Sequence, residues 1–161
     1  MDTGQHSEIT AERVGALQRR LQWRIHLANT INPKTGAPYP DSVEVPQWSE
    51  KAATFLPVGW VLIVDELDEK IAKLAPNYHL HQAKEKFGGL RYYLANTPAN
   101  VTSEINDLVR RAELASVTAC QECGRQCEGP QKVDQFLIAT LCPEHMEVAR
   151  QERAARPVLG G

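Results

Sequence analysis

No apolar stretch of this chain approaches the roughly 18 to 20 uncharged residues that a membrane span needs. The longest, Val61-Leu62-Ile63-Val64, runs directly into Asp65 and Glu66. The opening residues, Met1-Asp2-Thr3-Gly4-Gln5-His6-Ser7, hold neither a basic segment nor an apolar one of the kind that directs export. A cytoplasmic protein without membrane attachment is the expectation. An excess of one charge is missing too: 18 Lys and Arg against 20 Asp and Glu give a formal net charge of -2. That balance argues against a general nucleic-acid coat and leaves room for a local basic patch. Internal repeats and low-complexity tracts are absent, and so are a Ser-His-Asp order, a phosphate-binding P-loop and a spaced carboxylate pair. The chain is therefore read as a protein without a catalytic constellation.

What is present suffices for one core, since 161 residues are 42% hydrophobic. From Ala11 to Ala28, apolar Val14, Leu17, Leu21, Ile25 and Ala28 recur at helical spacing, with Arg13, Arg19, Arg20 and Arg24 largely on other faces. Asn32-Pro33-Lys34-Thr35-Gly36-Ala37-Pro38-Tyr39-Pro40, with Pro46 and Pro57 beyond, breaks that period. A second helix is predicted over Val58 to Ala75, with Trp60, Val64, Leu67, Ile71 and Leu74 as its apolar stripe and Asp65, Asp68, Glu69 and Lys73 as its polar one. Strand-like runs over Tyr78 to Glu85 and Leu90 to Leu94 flank Lys86-Phe87-Gly88-Gly89, and a third helix over Ser103 to Ser116 turns Ile105, Leu108, Val109 and Ala112 inward.

The expected architecture is α+β: helices packed on a small antiparallel β-hairpin sheet, followed by a C-terminal treble-clef-like module. Its parts are an N-terminal amphipathic helix in 1–30, a proline-rich connection in 31–56, an α/β core in 57–117 with the hairpin in 78–94, a zinc module in 118–156 and a tail in 157–161. The first helix has three places to bury its stripe: its own core, a second copy of the chain, or a partner groove. Trp23, Trp48 and Trp60 lie in separate segments and are read as core or interface anchors rather than a stacking platform.

All four cysteines fall between 120 and 142, a clustering that in a reducing cytosol favours metal ligation over disulfides. Cys120-Gln121-Glu122-Cys123-Gly124 is a CxxC knuckle, and Cys142-Pro143-Glu144-His145 supplies a second pair. Cys120, Cys123, Cys142 and His145 complete the four ligands of one closed, structural zinc site. Lys132 to Leu141 reads as a hairpin between the pairs, and Pro143 suits the first turn of a final helix. Cys127 is the surplus thiol, the weaker candidate for a ligand.

A turn of two residues (Gly88-Gly89) or four (Lys86 to Gly89) puts Lys84, Lys86, Arg91 and Tyr93 on one face of the central hairpin and Ala83, Phe87, Leu90, Tyr92 and Leu94 on the other. The first set offers a seat for an anion, a nucleic-acid backbone or an acidic partner; a solvated sheet face is the plainer reading. His79 and His81 form an HxH pair, which can chelate a metal and more commonly does not.

Gly59-Trp60, the run Lys84-Glu85-Lys86-Phe87-Gly88-Gly89-Leu90-Arg91-Tyr92-Tyr93, Ala112-Glu113 with Ser116, the CxxC knuckle and Thr140-Leu141-Cys142-Pro143-Glu144-His145 together resemble a family of small phage and prophage proteins with a KEKFGGLR segment and a C-terminal zinc ribbon. The resemblance covers about residues 57–146. Where this chain has Cys127 the family pattern usually has glycine, which leaves Cys127 out of the site. The family carries no assigned function. What it implies is a protein of the host cell cytoplasm that binds a host or phage macromolecule, in some cases to inhibit a host defence system. A protein partner is expected first, through the hairpin or the proline-rich loop around Tyr39 and Trp48, and a homo-oligomer through the N-terminal helix is open. Nucleic-acid binding by the basic hairpin face and the arginine-rich first helix is the alternative. An HNH-like nuclease is the remaining one, and it lacks a histidine on the hairpin to act as general base.

Overall fold

Helix α1, Ala11–Thr30, begins where the Thr10 hydroxyl accepts the Arg13 backbone N–H at 3.1 Å, the side-chain cap that a first helical turn needs. A computed structural model describes the protein over residues 9–45, 56–95 and 97–157. The first eight residues of the predicted N-terminal segment, the part of the connection holding Pro46 and Trp48, and the tail from 158 lie outside the described residues. Leu17, Leu21 and Ile25 of α1 are buried in the main core, with Val14 packed against it. Full burial of a Leu or Ile side chain contributes roughly 1.5–3 kcal/mol, so three of them hold the helix on its own chain. The apolar stripe read from sequence thus docks internally, which leaves no such stripe for a partner groove.

A 3-10 turn, Val58–Trp60, leads into α2, Val61–Leu74. Trp60, Val64, Leu67 and Ile71 are buried as expected, but so are Asp65 and Asp68. The predicted polar stripe is therefore corrected in part: these two aspartates face α1. Arg13 donates to Asp65 at 2.8 Å, Arg20 bridges Asp65 and Asp68, and Arg24 reaches Asp68 and, at 3.1 Å, the Pro76 carbonyl. Arginines predicted to lie away from the core are instead the clamp between α1 and α2.

Strands β1, Leu80–Lys86, and β2, Gly89–Leu94, pair antiparallel with Lys84 opposite Arg91 and Lys86 opposite Gly89. The turn is Phe87-Gly88, both at positive φ (51° and 81°), which is the type I′ geometry whose twist suits a two-residue hairpin. Ala83, Leu90 and Tyr92 point into the core, and a bulge between Leu80 and Gln82 turns Leu80 inward as well. Phe87, predicted on the buried face, is 67% exposed. The register explains this correction, because the turn takes Phe87 out of the ladder and off both faces.

Helix α3, Thr102–Ser116, lies along β2. The Glu113 carboxylate accepts the Tyr92 N–H at 3.1 Å and the Ser116 hydroxyl accepts the Leu90 N–H at 2.8 Å, so α3 satisfies the outer edge of a two-stranded sheet. A second small core of Cys120, Val133, Ala139, Leu141, Cys142 and Met146 joins strands β3, Pro130–Lys132, and β4, Ile138–Thr140, to helix α4, Pro143–Ala155. Four helices and two small antiparallel sheets among the described residues make the protein α+β. No helix among those residues is long and apolar enough to cross a membrane.

Candidate functional site

The ligand atoms of Cys120, Cys123, Cys142 and His145 all lie within 4.8 Å of one another. A tetrahedral ion with metal–sulfur bonds of about 2.3 Å has sulfur–sulfur edges near ~3.8 Å; Cys123 and Cys142 are 4.0 Å apart, and His145 Nδ1 is 3.1 Å from Cys142 Sγ and 3.5 Å from Cys120 Sγ. The spacing and the donor types fit one metal ion. Cys127 stands outside the group, its N–H donating to the Thr118 carbonyl at 2.8 Å and its side chain packed on the second core.

The four groups of the cluster are shifted in different directions. Burial resists ionisation of Cys123, yet the Arg125 guanidinium at 3.5 Å and hydrogen bonds from neighbouring groups bring its thiol down to about 6. The His145 backbone N–H does the most to lower Cys142, whose sulfur in turn raises the His145 imidazole. Burial pushes Cys120 up. A metal ion that binds thiolates and a neutral imidazole releases the protons these groups hold.

Local sequence builds the knuckle. Gly124, at φ +77°, donates its N–H to the Cys120 carbonyl at 2.8 Å, and Cys120 N–H returns to the Arg125 carbonyl at 2.8 Å. The second ligand pair is set by the start of α4, where Cys142 caps the helix and Pro143 opens it.

Long-range bonds then tie this unit to the rest. Gly59 N–H donates to the Gln121 carbonyl at 2.8 Å, at an approach where a β-carbon would overlap the Cys120 carbonyl oxygen. Buried Trp60 donates its indole N–H to the Ala119 carbonyl at 2.9 Å. From the other side, the Thr140 hydroxyl donates to the Gly88 carbonyl at 2.6 Å, and Gly88 sits against Pro130. Several residues singled out in the sequence are therefore wiring: Gly59, Trp60, Gly88 and Thr140 join the core to the C-terminal unit, while Glu113 and Ser116 join α3 to β2.

The remaining part of that motif is a surface. Lys84, Lys86, Arg91 and Tyr93 occupy one face of the hairpin, with Lys86 and Tyr93 exposed and Lys84 and Arg91 half-buried. Among the described residues no carboxylate pairs with Lys84, Lys86 or Arg91; Arg91 donates only to the Leu90 carbonyl, and Glu85 is engaged by the Gly88 N–H at 2.6 Å. His79 is buried and His81 half-buried, and burial lowers both. No third ligand-type side chain joins them among the described residues.

Sequence reasoning missed the buried chain that runs from Arg24 through Asp68 and Tyr78 to Tyr92. Tyr78 donates to Asp68 at 2.6 Å, Tyr92 hydrogen-bonds to Tyr78, and the Arg24 guanidinium lies 3.9 Å over the Tyr78 ring. A signal existed: Val61, Asp65, Asp68 and Ala72 follow helical spacing on a partly apolar face, so two carboxylates were bound for the interior. Comparison of the chain with models of known protein families, with curated proteins and with solved structures finds no match.

Proposed function

We propose that this chain is a zinc-stabilised, non-catalytic binding protein of the small phage type, whose C-terminal unit is a treble clef and whose contact surface is the Lys84, Lys86, Arg91 and Tyr93 face. Its partner is a host macromolecule, a protein before a nucleic acid, and inhibition of a host defence system is one outcome of such binding. The observation that carries this reading is the contrast in pairing: among the described residues the hairpin cations stand without carboxylates, while Arg13, Arg20 and Arg24 are neutralised by Asp65 and Asp68. Four protein donors leave a tetrahedral ion no open position for substrate or water, so zinc here serves folding. The same neutralisation removes most of the cationic surface that the nucleic-acid reading took from the first helix.

The test has two parts. Purified protein is expected to hold about one zinc per chain, and Cys123→Ser or Cys142→Ser to lose it together with ordered structure in the C-terminal unit; full structure without metal would refute the zinc assignment. In pull-downs from host lysate with and without nuclease, Lys84→Glu with Arg91→Glu is expected to abolish a nuclease-resistant partner. Nuclease-sensitive capture with a steep salt dependence, near -0.9 per phosphate contact on a log-log plot, would move the assignment to nucleic acid.

A further inference from the structure

Phe87 is strained and exposed at once. Its φ of +51° lies in the left-handed region, which side chains with a β-carbon avoid, Asn and Asp being the usual exceptions. At the first central position of a type I′ turn, Asn, Asp or Gly is the ordinary occupant. Here a large aromatic ring takes that position with two-thirds of its surface in water. Among the described residues its one cation–π contact is Lys86 Nζ at 5.7 Å from the centroid, at the outer limit of that interaction.

The turn does not depend on this ring. Glu85 accepts the Gly88 N–H at 2.6 Å, Thr140 donates to the Gly88 carbonyl at 2.6 Å, and Pro130 packs on Gly88 from the metal-ligating unit. These contacts pin the backbone and hold residue 87 in the left-handed basin whatever its side chain. Strain retained where the surroundings over-determine it marks sites of function more often than sites of folding. An exposed aromatic beside desolvatable cations is the composition of an interface hot spot.

We infer that Phe87 is the anchor of the interface: it inserts into an apolar pocket on a partner protein, and Lys84, Lys86 and Arg91 meet carboxylates ringing that pocket. The inference rests on the binding reading above and adds the partner's chemistry to it. Charge complementarity sets the rim, since these three cations have no acidic neighbour within ion-pair reach among the described residues. Stacked bases fit less well. Phe87 is at the turn while Tyr93 pairs with Gln82 at the far end of the ladder, about 13 Å away at ~3.4 Å per residue, too far for successive bases to use both rings. A single projecting ring fits a pocket; a strand of bases needs a row of rings.

Phe87→Asn separates these claims, because Asn suits the left-handed turn and removes the ring. The variant is expected to melt roughly 2–4 °C higher than the parent protein, the shift that relief of such strain gives at this chain length. It is also expected to bind at least tenfold more weakly to immobilised Glu- and Asp-rich peptides that carry a Leu and Phe cluster. Lys84→Glu with Arg91→Glu is expected to weaken the same peptides without the rise in melting temperature. An unchanged or lower melting temperature for Phe87→Asn would show that the ring builds the turn, and would overturn the inference. So would failure of the parent protein to bind any of the acidic peptides, or binding to oligothymidylate that Phe87→Asn weakens, or loss in that variant of a self-association seen by sedimentation. If the charge variant weakens binding and Phe87→Asn does not, the anchor is wrong and the binding reading stands; if neither does, both fail.

Discussion

Two groups of cations in this protein look alike on paper and meet opposite fates. Arg13, Arg20 and Arg24 on α1 are set against Asp65 and Asp68 on α2, and Arg24 and Asp68 are nearly out of solvent at 7% and 2% exposure. Lys84, Lys86 and Arg91 on the hairpin face solvent without a carboxylate among the described residues. The first group is part of the fold, and the second has no ion pair within it among the described residues. Charge density along the chain does not separate them; the separation comes from what packs opposite.

The sharpest way to break the comparison is to remove the acid that neutralises α1. Asp68→Ala strips Arg20 and Arg24 of a buried carboxylate and leaves the Tyr78 hydroxyl without its acceptor. Removing one partner of a buried pair costs about 3–5 kcal/mol, so urea unfolding is expected to shift by that much. A loss under about 1 kcal/mol, the range of surface pairs, would place the cluster in effect at the surface and erase the contrast.

Acid probes the same cluster more gently. Burial works against ionisation of Asp68, but the Tyr78 hydroxyl, Arg24 and Arg20 together hold its carboxyl below the ordinary carboxylate range. A folded pKa below the unfolded value of about 3.9 means the stabilisation is fully present above the unfolded value and disappears as pH falls through the folded one. Unfolding midpoints should therefore drop below about pH 4, and Asp68→Asn, which cannot titrate, should flatten that drop. An identical slope in the variant would assign the acid sensitivity to other carboxylates.

Smaller again is the effect of loosening the hairpin from the C-terminal unit. Thr140→Val keeps the shape and deletes the hydrogen bond to the Gly88 carbonyl. A buried acceptor left without a donor costs about 1–3 kcal/mol, and amide exchange should quicken around Gly88 and Gly89 while α1 stays protected. Uniform acceleration would mean that the two units open together.

At the bottom of the scale, Lys84→Glu with Arg91→Glu is expected to change stability by no more than about 0.5 kcal/mol, the range of surface substitutions. Melting curves check this directly. A large loss would show that the hairpin cations are as structural as those of α1.

Much of the fold was legible because it is locally written. The helical spacing of Leu17, Leu21 and Ile25, the strand runs on either side of Phe87-Gly88, and Pro143 at the head of the last helix all depend on neighbours a few residues apart. The turn is legible within Lys86 to Gly89, but which residues leave the ladder is not. Lys86 stays paired with Gly89, so the turn proper is Phe87-Gly88, and Phe87 leaves the expected buried face for solvent.

By itself the sequence determined the α+β class and the members of the Cys120, Cys123, Cys142 and His145 cluster, which could hold a metal ion, since residue type, spacing and apolar period are properties of short segments. Tertiary structure alone decided which charges are free. Arg24 finds Asp68 across 44 residues, Thr140 finds Gly88 across 52, and Trp60 finds Ala119 across 59. Those partners are chosen by how helices and sheets pack, where a buried carboxylate must have its cation and a buried carbonyl its donor. No local pattern records that choice, so the arginines that looked available are consumed and the phenylalanine that looked buried is presented to solvent.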